Sequence, residues 1–175
     1  MMGMSSTEWS RYMHERLGVP IEPEEISAEI AARIEARYRE RVPLLPGALA
    51  AVRSLAGRWP LGLASSANRP VIDLVLDLTG MASRFRATVS SEEVARGKPA
   101  PDVYLEAARR LDTEPKLCAA IEDSTNGILA ARRAGMRVVA VPRPDFPPSA
   151  EAKAAAVAVI SSLAELDAAL DELAA

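Results

Sequence analysis

"CAAIEDSTNGILAARRAGMRVVAV", Cys118 to Val141, is a short apolar run, an amphipathic stretch and a second apolar run. "CAAIE" and "RVVAV" show no alternation of polar and apolar residues, the pattern of strands covered on both faces. "NGILAARRAG" between them has helical spacing. A strand, a helix and another strand in that order make a crossover unit, which joins parallel strands. The same rhythm extends outward in both directions. "PLGLAS" (60–65), "ATVS" (87–90) and "AAVAVI" (155–160) read as further strands. "ALAAVRSLAGR", "PVIDLVLDLTG", "DVYLEAARRL" and "SLAELDAALDEL" read as the helices between and after them. The fold class is therefore α/β: a Rossmann-like parallel sheet with helices on both faces.

The segment before residue 44 does not follow that rhythm. Ser5-Ser6-Thr7-Glu8 fits a capping box ahead of one helix, which Gly18 and Pro20 end. A second helix starts near Pro23, with Ile26, Ile30, Ile34 and Tyr38 four residues apart. "VPLLPG", Val42 to Gly47, then breaks the pattern. The expected division is a helical domain over 1–43 and an α/β core over 44–175.

A chain of 175 residues, 49% hydrophobic, has enough apolar material for one core. A net charge of −3, with arginines interleaved among glutamates, leaves no basic stripe for nucleic acid. Aromatics at 4% are too few for base-stacking platforms. No apolar run reaches membrane-spanning length, and no signal-peptide pattern opens the sequence. The single cysteine, Cys118, excludes a disulfide framework within the chain. A cytoplasmic location is the expectation.

Open parallel sheets bind ligands beyond the carboxyl ends of their strands. The first core strand ends in "ASSANRP", where Ser65, Ser66 and Asn68 precede a helix. They suit an anion site, and equally a plain helix cap. The second leads to "ARGKPAPDVY". Only three of the 21 basic residues are lysines, yet Lys98 stands here, on a segment stiffened by Pro99 and Pro101. The third ends in "IEDSTNG", with Glu122 and Asp123 adjacent. Such a pair at the end of a buried strand needs solvent, a cation or a metal. Oxygen donors of this kind suit Mg2+, with water and phosphate completing its shell. Taken singly these are a cap, a surface lysine and a dipole-facing pair. Brought to one edge they are equipment for phosphoryl chemistry.

"LASSANR", "GKPAPDVY" and "IEDSTNGILAARRAGM" resemble, in order and spacing, three of the four motifs of the haloacid dehalogenase-like hydrolases. The nearest group is the helical-cap branch that includes β-phosphoglucomutase-like and phosphoglycolate-phosphatase-like enzymes. "LLPG" is similar to the family's return from cap to core. The resemblance implies that Ser65 bonds the transferring phosphoryl group, with Ser66 and Asn68 assisting. It implies that Lys98 contacts both that group and the catalytic carboxylate, and that Glu122 and Asp123 hold Mg2+. The expected partner is a small phosphorylated metabolite.

The fourth motif departs from the pattern. The family's nucleophile is an Asp of a "DxDGT"-like strand, and no Asp-x-Asp occurs in this sequence. The resemblance therefore implies a chain that begins inside the cap, by truncation or a misassigned start, or else a non-catalytic variant of the fold. Either is expected to be inactive alone. "MGMSSTEW" resembles the family's mid-cap Gly-x-Ser segment. Ser6 and Thr7 stand where mutases tend to carry a basic residue, which favours a phosphatase over a mutase. The Glu-Asp pair favours phosphate esters over haloacids. Without its central strand the sheet has a gap. Its neighbours are expected to close up, to receive another segment, to leave the chain unstable or to associate through the exposed edges. His14 reads as a surface or interface residue, and Cys118 as a small core residue.

Overall fold

A computed structural model describes residues 4–174. Gly3 of the Gly-x-Ser segment lies outside them. Strands β1 (Leu61–Ser65) and β2 (Phe85–Ser90) pair in parallel, with Ser65 opposite Ser90. Strands β3 (Ala119–Glu122), β4 (Arg137–Ala140) and β5 (Ala158–Val159) form a second parallel ladder, with Glu122 opposite Ala140. The helices are α1 (Ser6–Leu17), α2 (Pro23–Glu40), α3 (Ala48–Ala56), α4 (Arg69–Thr79), α5 (Asp102–Arg110), α6 (Thr125–Arg133), α7 (Ala150–Ala155) and α8 (Leu166–Ala174). Val89, Val103, Ile128 and Val138, from both ladders and their covering helices, are fully buried in one core cluster. Apolar runs at β2 and β4 place those side chains there, as expected for strands with no wet face.

No ladder joins β1 to β3. A cavity of about 510 Å3 separates them, lined by Leu61, Leu63, Tyr104, Ala120, Ile121 and Met136 among others. Of the outcomes expected for a sheet without its central strand, the neighbours have not closed up, and no described segment fills the slot. On β3, the carbonyls of Cys118 and Glu122 accept from Arg137 and Val141 at 3.1 and 2.8 Å. Alternate residues point their backbone to opposite sides of a parallel strand. Ala119 and Ile121 therefore turn their backbone polar groups to the slot. Each such group left dry and unpaired costs about 1–3 kcal/mol.

One strand is shorter than its sequence pattern. The expectation was Ala155 to Ile160, but β5 is Ala158–Val159: Ala155 ends α7, and Ala156 and Val157 link the helix to the strand. Alanine has the highest helix propensity, and the Ser149 side chain caps α7 by accepting from the Ala152 amide at 3.2 Å. Helix propensity with a cap takes Ala155 from the start of the apolar run, while the Val157 amide still donates to the Val138 carbonyl at 2.9 Å.

Helices α1 and α2 pack on each other as an arm. The capping box of α1 is present: Ser5 accepts from the Glu8 amide, and Glu8 accepts from Ser5. Gly18 ends α1 at φ +68°, a left-handed turn that favours glycine. His14 contacts the Ile21 carbonyl at 2.8 Å within this arm, and Cys118 packs half-buried against the core.

Candidate active site

Lys98 is 6% exposed. It follows a buried glycine and precedes a cis peptide bond to Pro99, at the entry to α5. Its ammonium donates to the Ala64 carbonyl at 3.2 Å, to the Tyr104 hydroxyl at 3.2 Å and to Glu122 Oε1. An ammonium has three N–H donors, so all are engaged. The side chain spans the slot at its carboxyl end, touching β1 on one side and β3 on the other. Its Nζ also lies 4.8 Å from the centre of the Tyr104 ring.

Glu122 is the other half of this buried pair. Its Oε1 also accepts from the Tyr104 hydroxyl. Its Oε2 accepts from Ser124 Oγ at 3.1 Å and from the Asp123 amide at 3.2 Å. Burial alone would raise the Glu122 carboxyl. The Lys98 charge and hydrogen bond, with those from Tyr104 and Ser124, outweigh it and hold the group below its ordinary value. Burial pushes the Tyr104 hydroxyl well up, and the Glu122 charge adds to it. Ser124 also caps α6 by accepting from the Gly127 amide at 3.0 Å. A Cβ at Gly127 would fall on the Glu122 carboxylate, so glycine is what lets α6 approach β3 here.

Asp123 is half-buried beside this pair. Burial, and then the Glu122 charge, raise its carboxyl above the ordinary value. A site that disfavours its own anion welcomes a cation. Among the described residues no cluster of three acidic, His or Cys side chains stands ready for a metal. One carboxylate with phosphate and water nonetheless suits Mg2+. Asp123 fits that role. Both Glu122 oxygens are already taken by donors from the protein, which sets it behind Asp123.

Ser65 ends β1 next to the Ala64 carbonyl that receives Lys98. Its Oγ accepts from the Ala67 amide at 3.1 Å, leaving the hydroxyl hydrogen to offer. Ser66 lies half-buried in the same turn. Asn68 points elsewhere. Its amide donates to Glu92 at 2.9 Å and to Ser27 of the arm at 3.2 Å. Glu92 also accepts from the Arg69 amide at 3.2 Å, so a protein carboxylate takes up the first turn of α4. The structure thus joins Lys98 to Glu122, sets Asp123 and Ser65 at the same edge, and turns Asn68 toward the arm. Ser124 caps α6 as its place before that helix suggests, whereas Tyr104, Glu92 and the Ser124 hydroxyl's bond to Glu122 were not anticipated. Tyr104 stands in the first turn of α5, 6 residues after Lys98, and a buried cation seeking acceptors is the signal that could have found it.

The chain is similar to known proteins over most of its length. The family model for haloacid dehalogenase-like hydrolases matches residues 3–135. The chain belongs to that family. This haloacid dehalogenase-like hydrolase is 33% identical to the bifunctional riboflavin kinase/FMN phosphatase of Arabidopsis thaliana, over 95% of this chain and 44% of that protein. It is 36% identical to the probable pseudouridine-5'-phosphatase of Drosophila melanogaster, over 94% of this chain and 73% of that protein. Its fold matches CbbY of Rhodobacter sphaeroides, solved in complex with phosphate, with a TM-score of 0.80 and 26% identity over 94% of this chain and 76% of that one. The chain thus spans 44% to 73% of the length of these curated relatives.

Proposed function

We propose that the chain carries the phosphate-handling edge of a Mg2+-dependent phosphatase acting on a small phosphorylated metabolite in the cytoplasm. The observation that supports this best is the buried Lys98 ammonium at the carboxyl end of the slot, between the Ser65 strand and the Glu122-Asp123 strand. A compact point charge on a flexible stem can exchange one acceptor for another. Lys98 would release one present partner to meet an incoming phosphoryl oxygen. Ser65 would donate its hydroxyl to the same group, and Asp123 would hold Mg2+, which neutralises phosphate charge when bound. Residues 1–43 would act as the cap.

In an active phosphatase of this kind, an Asp carboxylate oxygen would bond to phosphorus as the ester P–O bond breaks and the protonated alcohol leaves, and water would then hydrolyse the aspartyl phosphate to carboxylate and free phosphate. This chain contains no Asp-x-Asp to do so. A second reading is a non-catalytic module of the same fold, binding phosphate or metal or serving as an interaction module; its non-catalytic character is favoured by one observation, that all three Lys98 donors are satisfied internally, as in a structural lysine. A mutase is the remaining variant of the same chemistry.

Hydrolysis of p-nitrophenyl phosphate with Mg2+ tests the assignment. The expected result for this chain alone is no turnover above background. Turnover that Asp123→Ala abolishes would mean the nucleophile lies within these residues.

A further inference from the structure

The arm meets the core through polar groups that converge on one side chain. Glu92 Oε1 accepts from Ser6 Oγ, in the first turn of α1, and from Asn68 Nδ2. Its Oε2 accepts from the Arg69 amide. Asn68 in turn donates to Ser27 on α2. The neighbouring Glu93 is occupied otherwise: it accepts from the Ser90 amide, from Arg69 and from Arg110. Two adjacent glutamates thus divide the work, one holding the core to itself and one holding the arm.

Ser6 is 1% exposed. A buried hydroxyl without a partner is costly, so its bond to a carboxylate matters more than the exposure of Glu92 suggests. The arm also rests on the segment that carries Lys98. A Cβ at Gly97 would strike the Glu8 carboxylate and crowd the Ser5 amide at 3.1 Å. Where the arm sits therefore bears on the turn after Ser65 and on the approach to Lys98 together.

We propose that Glu92 is a positioning residue that docks the helical arm over the carboxyl edge, tying Ser6 of the arm and the Asn68–Arg69 turn to one carboxylate. Docking is a statement about conformation and stands whether or not the edge proves to hydrolyse phosphate esters. That this edge is where substrate arrives rests on the proposed function.

Hydrogen–deuterium exchange on the whole chain tests it, apart from any assay of turnover. Glu92→Ala should speed exchange in residues 6–17 and at the Arg69 amide by about tenfold, while α5 and α6 keep their protection. Ser6→Ala should speed exchange in the arm and leave Arg69 protected. Glu92→Gln, which keeps an acceptor oxygen, should restore much of the arm's protection. Arm exchange within about twofold of wild type in both alanine variants would overturn the proposal. So would a Glu92→Ala protein in which Arg69 alone loosens, since Glu92 would then only cap α4. If Glu92→Ala unfolds globally, Ser6→Ala decides: an unchanged arm overturns the proposal.

Discussion

Replacing Lys98 by alanine would leave the Glu122 carboxylate buried, with its cation gone. The two side chains are 7% and 8% exposed. Breaking a buried pair by removing one partner costs about 3–5 kcal/mol, far more than a surface ion pair is worth. Lys98→Ala should therefore lower the free energy of unfolding in urea by that amount. A loss under about 1 kcal/mol would show that the pair is solvated. Tyr104→Phe removes one hydrogen bond to the same carboxylate and should cost about 1–3 kcal/mol. Glu93 gives the clearest pH signature. Burial would raise its carboxyl, but hydrogen bonds from Arg69, Ser90 and Arg110 lower it from 4.5 to about 2. A depressed carboxyl contributes stability above the unfolded-state pKa and loses it as pH falls through the folded value. Glu93→Gln should thus remove stability at pH 6, and the difference from wild type should shrink between pH 4.5 and 2. At this scale the sequence announced Lys98, Glu122 and Asp123 as a group, because charged residues at the ends of apolar strands need a reason to be there. It did not announce Glu92 or Asn68 as an arm contact. That contact depends on where two distant helices come to rest, which local spacing does not encode.

At the scale of elements, α6 is the demanding one. Its first turn lies so close to the end of β3 that a Cβ at Gly127 would overlap the Glu122 carboxylate. Alanine would improve helix propensity by about 1 kcal/mol over glycine. Overpacking costs about 1–3 kcal/mol, and here it would also push Glu122 off Lys98 and Ser124. The steric effect should win, so Gly127→Ala is expected to destabilise in thermal unfolding; stabilisation would mean that Glu122 moves aside freely. The crossover around α6 was legible because continuous apolar runs and a 3.6-residue period are local signals. β5 was less so. An alanine-rich stretch satisfies both the helical and the buried-strand pattern, and only the Ser149 cap separates them.

At the scale of the molecule, the feature that matters is the slot between two half-sheets. β1 and β3 both turn an edge to it, and Ile121 at its rim is 39% exposed. Unprotected edges invite pairing with another chain. We expect sedimentation velocity to reveal association that grows with concentration and that Ile121→Lys suppresses; concentration-independent monomers would count against exposed edges. If the proposed phosphatase reading holds, this edge lacks a carboxylate nucleophile and can be completed by supplying one. The most direct test fuses a strand of the DxDGT type ahead of residue 1 and measures Mg2+-dependent hydrolysis of p-nitrophenyl phosphate. Turnover is expected to appear, and Lys98→Ala or Asp123→Ala to remove it. A folded fusion with no turnover, or turnover indifferent to both substitutions, would contradict that reading.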